Sequence, residues 1–283
     1  MKPYPASVEG LDISQEDGIV RVRLNRPERR NALTDEIVQS LIETIEAAGS
    51  DDDARVISLC AAGDHFCSGF DLAGRSKPDT PPRTGETQRR MRWQVNELIP
   101  AMLETQIPIV VAARGAAMGL GFGLVLAADF AVVADDARLS APMVRSGFTP
   151  DSGISWLAPR LIGIARAKEL IMLGREVSGA TAADWGMVHA SAPASNVGEV
   201  AAALAAELAG SATVAVGLAK SLVQRALNAD LDRHLADEAM ALELSSRSAD
   251  FKEASRARRE QRDPDFTGRG SGATRLRQRG ANR

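Results

Sequence analysis

The chain has 283 residues, 45% of them hydrophobic, and a formal net charge of -3 at pH 7. This composition is enough for one large hydrophobic core with a smaller appendage, and the slightly acidic balance argues against a protein that binds nucleic acid over a basic surface. No uncharged apolar run reaches the roughly 18 residues of a membrane span, and the first residues lack the apolar core of a signal sequence. We therefore predict a cytosolic protein with no membrane or nucleic-acid partner.

The first part of the chain alternates predicted strands with predicted helices. Alternating apolar and charged residues predict a half-exposed strand at 18–25, and an apolar stripe predicts a helix at 35–48 that Thr34 caps. Residues 73–86 are rich in Pro, Arg, Thr and Gly, which predicts a mobile loop. The other predicted elements of this part are strands at 55–61, 109–113, 130–134 and 187–190 and helices at about 87–104, 119–128, 164–173 and 181–185.

A Gly-rich turn at 115–121 joins the strand at 109–113 to an apolar helix. Glycines let backbone N–H groups come close to a ligand, and a helix N-terminus adds a partial positive charge, so this turn can hold an oxyanion. The nearest later carboxylate in a loop is Asp151. An oxyanion site and one carboxylate are sufficient to move a proton beside a carbonyl group.

Only helices are predicted after residue 195, at 199–209, 212–227, 231–246 and 251–262. The change from alternating strands and helices to helices alone predicts a core at 1–195 and a helical module at 196–266. The near absence of apolar residues after that predicts a disordered tail at 267–283. The tail is basic, with Arg269, Arg275, Arg277, Arg279 and Arg283, but we expect it to be solvated.

Cysteines and histidines give no sign of a metal site. Cys60 and Cys67 are not in a CxxC pair, and the three histidines are dispersed, at 65, 189 and 234. Ser68 and Ser152 lack an evident partner base, which disfavours an acyl-enzyme. We predict no metal and no cofactor.

Several sequence blocks, in order, resemble the crotonase (enoyl-CoA hydratase/isomerase) family. They are NRPERRNAL at 25–33, FCSGFDL at 66–72, GAAMGLG at 115–121, RLIG at 160–163, AADWGMV at 182–188 and the ending at 251–268. The resemblance covers about 18–268. It implies an α/β fold with a crotonase-like ββα spiral core and a C-terminal all-helical oligomerisation module. It also implies an acyl-CoA substrate and a homotrimer or a dimer of trimers.

The resemblance also implies which groups meet the substrate. The backbone N–H groups of Phe70 and Leu120 would face the thioester oxygen, where two fixed donors stabilise an enolate more than a neutral carbonyl. Coenzyme A would lie near Glu28 and the loop at 70–72, with Met91 and Trp93 shaping the acyl pocket. The substrate-binding residues implied are Arg26, Arg30, Ala32, Ser68, Asp71, Leu72, Gly119, Gly123, Met143 and Phe266. Exposed arginines are often only solvated, and Asp71 is expected to order its loop.

Two positions depart from the hydratases of this family. Where those enzymes carry glutamates, this chain has Gly123 and Met143, and neither side chain can carry a proton. Adding water across a double bond requires a base for the water and an acid for the carbon. The departure therefore disfavours ordinary hydration.

Asp151 remains as the candidate acid/base. Its segment, FTPDSGISWL at 148–157, resembles the loop of the phenylacetate-pathway isomerases, in which the Asp exchanges the proton. The alternative is that Asp151 only caps a short helix at 152–157. Three functions stay open: double-bond isomerisation of an acyl-CoA; hydration or thioester hydrolysis; and non-catalytic acyl-CoA binding.

Overall fold

The computed structural model describes residues 4–71, 80, 82–93 and 95–269. The predictions for Leu72, for most of the loop at 73–86, for the side chain of Trp93 and for the tail beyond 269 lie outside the described residues.

Nine strands are described in these ranges, and most are short. In chain order they are β1 (Leu11–Glu16), β2 (Ile19–Leu24), β3 (Val56–Ala61), β4 (Ile109–Ala113), β5 (Ala116–Met118), β6 (Phe130–Ala134), β7 (Arg138–Ser140), β8 (Glu176–Ser178) and β9 (Ala190–Ala192). The predicted strands at 55–61, 109–113 and 130–134 match β3, β4 and β6 to within a residue. The strand predicted at 187–190 begins three residues later.

The helices described are α1 (Asp35–Ser50), α2 (Glu86–Trp93), α3 (Leu98–Glu104), α4 (Leu120–Ala127), α5 (Ile154–Met172), α6 (Gly179–Asp184), α7 (Val197–Ala209), α8 (Thr213–Ala226), α9 (Leu231–Ser246) and α10 (Ala249–Glu260). The predicted cap of α1 is confirmed, because Thr34 Oγ1 accepts a hydrogen bond from the Ile37 N–H at 3.2 Å.

The larger sheet has six strands in the order β1-β2-β3-β4-β6-β9. β1 runs antiparallel to β2, and every other pair is parallel. Parallel strands are covered on both faces, which explains the unbroken apolar runs of β4 and β6. α7 packs across β3, β4 and β6 and contributes Val197, Ala201 and Ala205 to the core. This helix therefore shares the core of the preceding residues, although the sequence grouped it with the C-terminal module.

A second, three-stranded sheet has the order β5-β7-β8 and was not predicted. Each of its strands has three residues, too few for a periodic pattern to show in the sequence. The sheet matters for the site, because β5 lies inside the segment predicted as one Gly-rich turn at 115–121 and ends directly before Gly119. The pairing of Met118 with Ser140 therefore fixes where the chain turns into α4.

Two helix predictions differ from the structure. The single helix expected at 87–104 is divided into α2, a 3-10 turn at Val95–Glu97 and α3. Pro100 lies in the first turn of α3, where its missing N–H leaves no helical bond unmade. Conversely, α5 joins two predicted helices into one element with a break at Gly163, where φ is 76°.

The last three helices expose much apolar surface. Each of the following residues of α8, its C-cap and α9 is at least half exposed: Val223, Leu227, Leu231, Leu235, Met240, Leu242 and Leu244. Among the described residues no single helix has the length and composition of a membrane span. Of the described helices, only α7 and α8 taken together are long and apolar enough, and these two helices are bent by 110° relative to each other.

Candidate active site

The Gly69–Phe70 peptide is the first of the two predicted oxyanion donors. Its carbonyl oxygen accepts a hydrogen bond from the Leu33 N–H at 2.8 Å, and the Asp71 N–H donates to the Leu33 carbonyl at 2.8 Å. In a planar trans peptide the C=O and N–H groups point in opposite directions. The Phe70 N–H is therefore directed away from Leu33.

The Gly119–Leu120 peptide is the second predicted oxyanion donor. Its carbonyl accepts from the Gly123 N–H at 2.9 Å, as the first bond of α4. The N–H of Leu120, the first residue of α4, has no acceptor within the helix and points out of its N-terminus. The Gly119 N–H donates to the Ser140 carbonyl at 3.1 Å, so the small sheet anchors this peptide.

The two loops touch through their glycines. A Cβ atom on Gly69 would lie 2.9 Å from the Met118 carbonyl oxygen and 3.6 Å from the Leu120 nitrogen. A Cβ atom on Gly121 would lie 2.6 Å from the Cys67 carbonyl oxygen. Glycine is required at both positions because backbone occupies the space. This contact brings the Phe70 and Leu120 amides into one region of the molecule.

Two side chains support this region, and the sequence predictions missed both. Asn31 is buried with φ of 54°, and its side-chain amide donates to the carbonyls of Ala62 and His65 at 2.8 and 2.7 Å. The Arg90 guanidinium lies over the Phe70 ring, with Cζ 5.3 Å from the centroid. Asn31 could have been found from its place in the NRPERRNAL block, whereas no sequence signal indicated Arg90.

Asp151 is exposed, and its carboxylate accepts a hydrogen bond from the Ser152 hydroxyl at 2.7 Å. The cap alternative is wrong: α5 begins at Ile154, its N-cap is Gly153, and Asp151 contributes only its backbone carbonyl to the Ile154 N–H. Ser152 is buried, and both Ser152 and Gly153 have positive φ, 56° and 71°. A left-handed conformation at a buried serine is costly, so packing must hold this turn in place.

The Asp151 turn packs against Gly123. A Cβ atom on Gly123 would lie 2.7 Å from the Ser152 carbonyl oxygen and 3.2 Å from Ser152 Cβ. A glutamate therefore does not fit at this position, because the turn that bears Asp151 occupies its space. Gly123 lies three residues after Leu120, about 4.5 Å along the axis of α4, so the turn lies close to the end of the helix that presents the Leu120 amide. Met143, the other position that departs from the hydratases, is half-buried in a 3-10 turn.

A cavity of about 1300 Å³ opens beside Asp151. Met91, Ile99, Leu103 and Trp156 form its apolar part. The residues that α8, α9 and the connection between them contribute are mainly polar: Ser221, Gln224, Arg225, Asn228, Arg233 and Asp237. Phe70 and Leu120 are not among the residues that line this cavity, whereas Asp151, Ser152 and Gly153 are.

The predicted coenzyme A residues fall into two groups. Arg30 and Ser68 are exposed next to each other, with the Ser68 N–H donating to the Arg30 carbonyl at 2.9 Å. Arg26, Ala32 and Asp71 are largely buried behind the Phe70 loop, where Arg26 Nη1 donates to the Ala32 carbonyl at 2.7 Å.

Phe266 is half-buried in the segment after α10. The carboxylates of Glu253 and Asp250 hold that segment by accepting from the N–H groups of Asp265 and Thr267 at 3.2 and 2.8 Å. The described contacts do not bring Phe266 to the oxyanion peptides.

The sequence profile of the family described as enoyl-CoA hydratase/isomerase matches residues 14–269. The chain is 34% identical to 1,2-epoxyphenylacetyl-CoA isomerase of Escherichia coli, over 90% of this chain and 97% of that protein. It is 32% identical to a probable enoyl-CoA hydratase of Rhodobacter capsulatus, over 89% and 96%. The crystal structure of an enoyl-CoA hydratase from Bacillus anthracis superposes with a TM-score of 0.82 at 30% identity, covering 92% of this chain and 99% of that one. The chain has the crotonase fold and belongs to the enoyl-CoA hydratase/isomerase family.

Proposed function

We propose that this protein is an acyl-CoA isomerase that shifts a double bond by proton transfer, with Asp151 as the acid/base and the Phe70 and Leu120 amides as the oxyanion hole. The observation that carries the proposal is the contact between Gly123 and the Ser152 carbonyl, since the turn of Asp151 occupies the space a hydratase glutamate would need. The resemblance to an isomerase named for a CoA thioester supports the same reaction class.

The proposed reaction needs one carboxylate and two amides. The Asp151 carboxylate removes a proton from the carbon beside the thioester carbonyl of a 3-enoyl-CoA. The electron pair moves onto the thioester oxygen, where the two N–H groups stabilise the dienolate. Protonated Asp151 then returns the proton two carbons further along, and the double bond moves into conjugation. Removing one donor from an oxyanion hole typically costs about 3 kcal/mol of transition-state stabilisation.

The test is substitution of Asp151 by asparagine, which keeps the shape of the side chain and removes the base. We expect Asp151→Asn to lose isomerisation of a 3-enoyl-CoA and to keep the melting temperature of the wild type. Asp136→Asn, an exposed aspartate in the turn after β6, is the matched control and should keep full activity. Retained turnover in Asp151→Asn would remove Asp151 from the mechanism.

The alternatives give different products. Hydration of a 2-enoyl-CoA gives a 3-hydroxyacyl thioester, thioester hydrolysis gives free thiol, and a non-catalytic binding subunit leaves every thioester unchanged. Incubation with matched 2-enoyl, 3-enoyl and saturated thioesters, of both ring and chain acyl groups, distinguishes them. We expect the isomer alone, and only from the unsaturated thioesters.

We also propose that Arg30 and Ser68 contact coenzyme A and that the chain forms a homotrimer or a dimer of trimers. The exposure of Arg30 beside the Phe70 loop supports the first proposal. The exposed apolar side chains of α8 and α9 support the second, because so many large apolar groups left open to solvent indicate an interface. Sedimentation should give a trimer or hexamer for the wild type and a smaller species for Leu231→Glu.

A further inference from the structure

Asp71 is a buried acid one residue after the proposed oxyanion donor Phe70. Its side chain is only 5% exposed, and Arg26 Nη1 lies 3.2 Å from Oδ2 and Arg29 Nη2 3.6 Å from Oδ1. Removing a carboxylate from water is unfavourable unless opposite charges and hydrogen bonds compensate. Solubility does not require a buried ion pair. The position of this pair beside Phe70 therefore suggests a functional role for it.

The pair closes a circuit of hydrogen bonds around Phe70. Arg26 Nη1, which meets the Asp71 carboxylate, also donates to the Ala32 carbonyl at 2.7 Å. The next residue, Leu33, donates to the Gly69 carbonyl and accepts from the Asp71 N–H. The side chains of Asp71 and Arg26 thus connect the same two segments that the Leu33 backbone connects. Within this circuit the Phe70 N–H keeps one direction.

Arg26 is itself fixed at its backbone. The backbone N–H of Arg26 donates to Asn31 Oδ1 at 2.8 Å, and the backbone N–H of Asn31 donates to the Arg26 carbonyl at 2.9 Å. Its side chain is only 18% exposed, whereas that of Arg29 is 46% exposed. This placement suits Arg26 to hold the loop from behind, on the side away from solvent.

We propose that Asp71 and Arg26 are positioning residues that fix the Phe70 N–H and thereby set the polarisation of the thioester carbonyl. This inference rests on the proposed role of Phe70 as an oxyanion donor. A displacement of about 1 Å in catalytic geometry can cost about 100-fold in rate, so a loosened donor should lower kcat by about tenfold or more. KM should change by less than about threefold, because the donor acts mainly on the transition state.

The experiment compares Asp71→Asn with Asp51→Asn. Asp51 is buried to the same degree, lies at the C-terminal end of α1, and accepts hydrogen bonds from Tyr4 and Gln15. Two readouts are used on each protein: kcat and KM with a 3-enoyl-CoA, and the infrared carbonyl stretch of a bound saturated acyl-CoA carrying ¹³C at the thioester carbon. Thermal melting is measured alongside both.

We expect Asp71→Asn to lower kcat with KM nearly unchanged and to move the carbonyl stretch back toward its value in water. Asp51→Asn should lower only the melting temperature. Arg26→Lys, which keeps the charge but loses the planar guanidinium, should give an intermediate kcat. If Asp71→Asn does not fold, Arg26→Lys carries the test with the same readouts.

The opposite results overturn the inference. If Asp71→Asn keeps kcat and the bound carbonyl frequency and loses only stability, the pair is structural. If the wild-type enzyme does not shift the carbonyl of the bound thioester, Phe70 is not a donor and the inference fails with it. If the wild type shifts the carbonyl, Asp71→Asn abolishes the shift, and neither isomerises a 3-enoyl-CoA, the positioning role stands and the proposed isomerase activity is wrong.

Discussion

Gly123→Ala adds one methyl group at the contact between α4 and the turn that bears Asp151. That methyl group would lie 2.7 Å from the Ser152 carbonyl oxygen, about 0.7 Å inside the 3.4 Å at which ordinary contact begins. Backbone lies on both sides of the contact, so a rotamer change cannot relieve it. The turn must move, and Asp151 must move with it.

The expected magnitudes follow from this overlap. Alanine is favoured over glycine inside a helix by about 1 kcal/mol. Overpacking costs about 1–3 kcal/mol, so the net change in stability should lie between about zero and a loss of about 2 kcal/mol. A shift of about 0.7 Å in the position of a catalytic carboxylate should lower kcat by about tenfold.

The control is Gly198→Ala, at a helical glycine of α7 where nothing lies within 4 Å of the added methyl group. It should be stabilised by up to about 1 kcal/mol and keep full activity. Both variants are measured by thermal melting and by 3-enoyl-CoA isomerisation. If Gly123→Ala is as stable as Gly198→Ala and as active as the wild type, the turn does not hold Asp151 in the way described.

Three other predictions concern groups away from the proposed proton transfer. Burial raises the pKa of the Cys67 thiol to about 12, so iodoacetamide at pH 8 should modify it only in denaturant, as peptide mass spectrometry can check. Hydrogen bonds, that of Arg262 first, lower the pKa of Glu253 from 4.5 to about 2. Its stabilisation is therefore complete above pH 4.5 and lost as the pH falls toward 2, and the difference in melting temperature between wild type and Glu253→Gln should vanish over that interval. Lys220→Met leaves the buried carboxylate of Asp129 without its ion pair at 2.7 Å, which should cost about 3–5 kcal/mol in denaturant unfolding, and Asp129→Asn in the same chain should restore part of it.

Local signals in the sequence were sufficient where an apolar run or a helix cap lies within a few neighbouring residues. The apolar runs of β4 and β6 and the cap at Thr34 are properties of neighbouring residues, so the pattern located them to within a residue. The strands of the small sheet were missed, because three residues give no period and their partners are distant in the chain. The sequence also divided α5 into two predicted helices. A pattern of side chains does not show how the backbone continues through Gly163.

The candidate site likewise has features that the sequence indicates and features that only the fold shows. The glycines of the two loops and Asp151 could be proposed as site residues because they belong to sequence blocks that resemble the family. The pair formed by Asp71 and Arg26 could not, since 45 residues separate its members and only the fold brings them together. The exclusion of a side chain at Gly123 was equally hidden, because it depends on how closely the turn at Ser152 approaches.

On the proposed assignment, both groups that activate the carbonyl belong to the main chain. The side chains of Phe70 and Leu120 then make no contact that the thioester oxygen needs, so substitutions there must preserve only the backbone geometry and the packing around it. Carbonyl activation can thus be inherited unchanged while the carboxylate is relocated, and a lineage with this scaffold can acquire a new reaction by moving a single acidic residue.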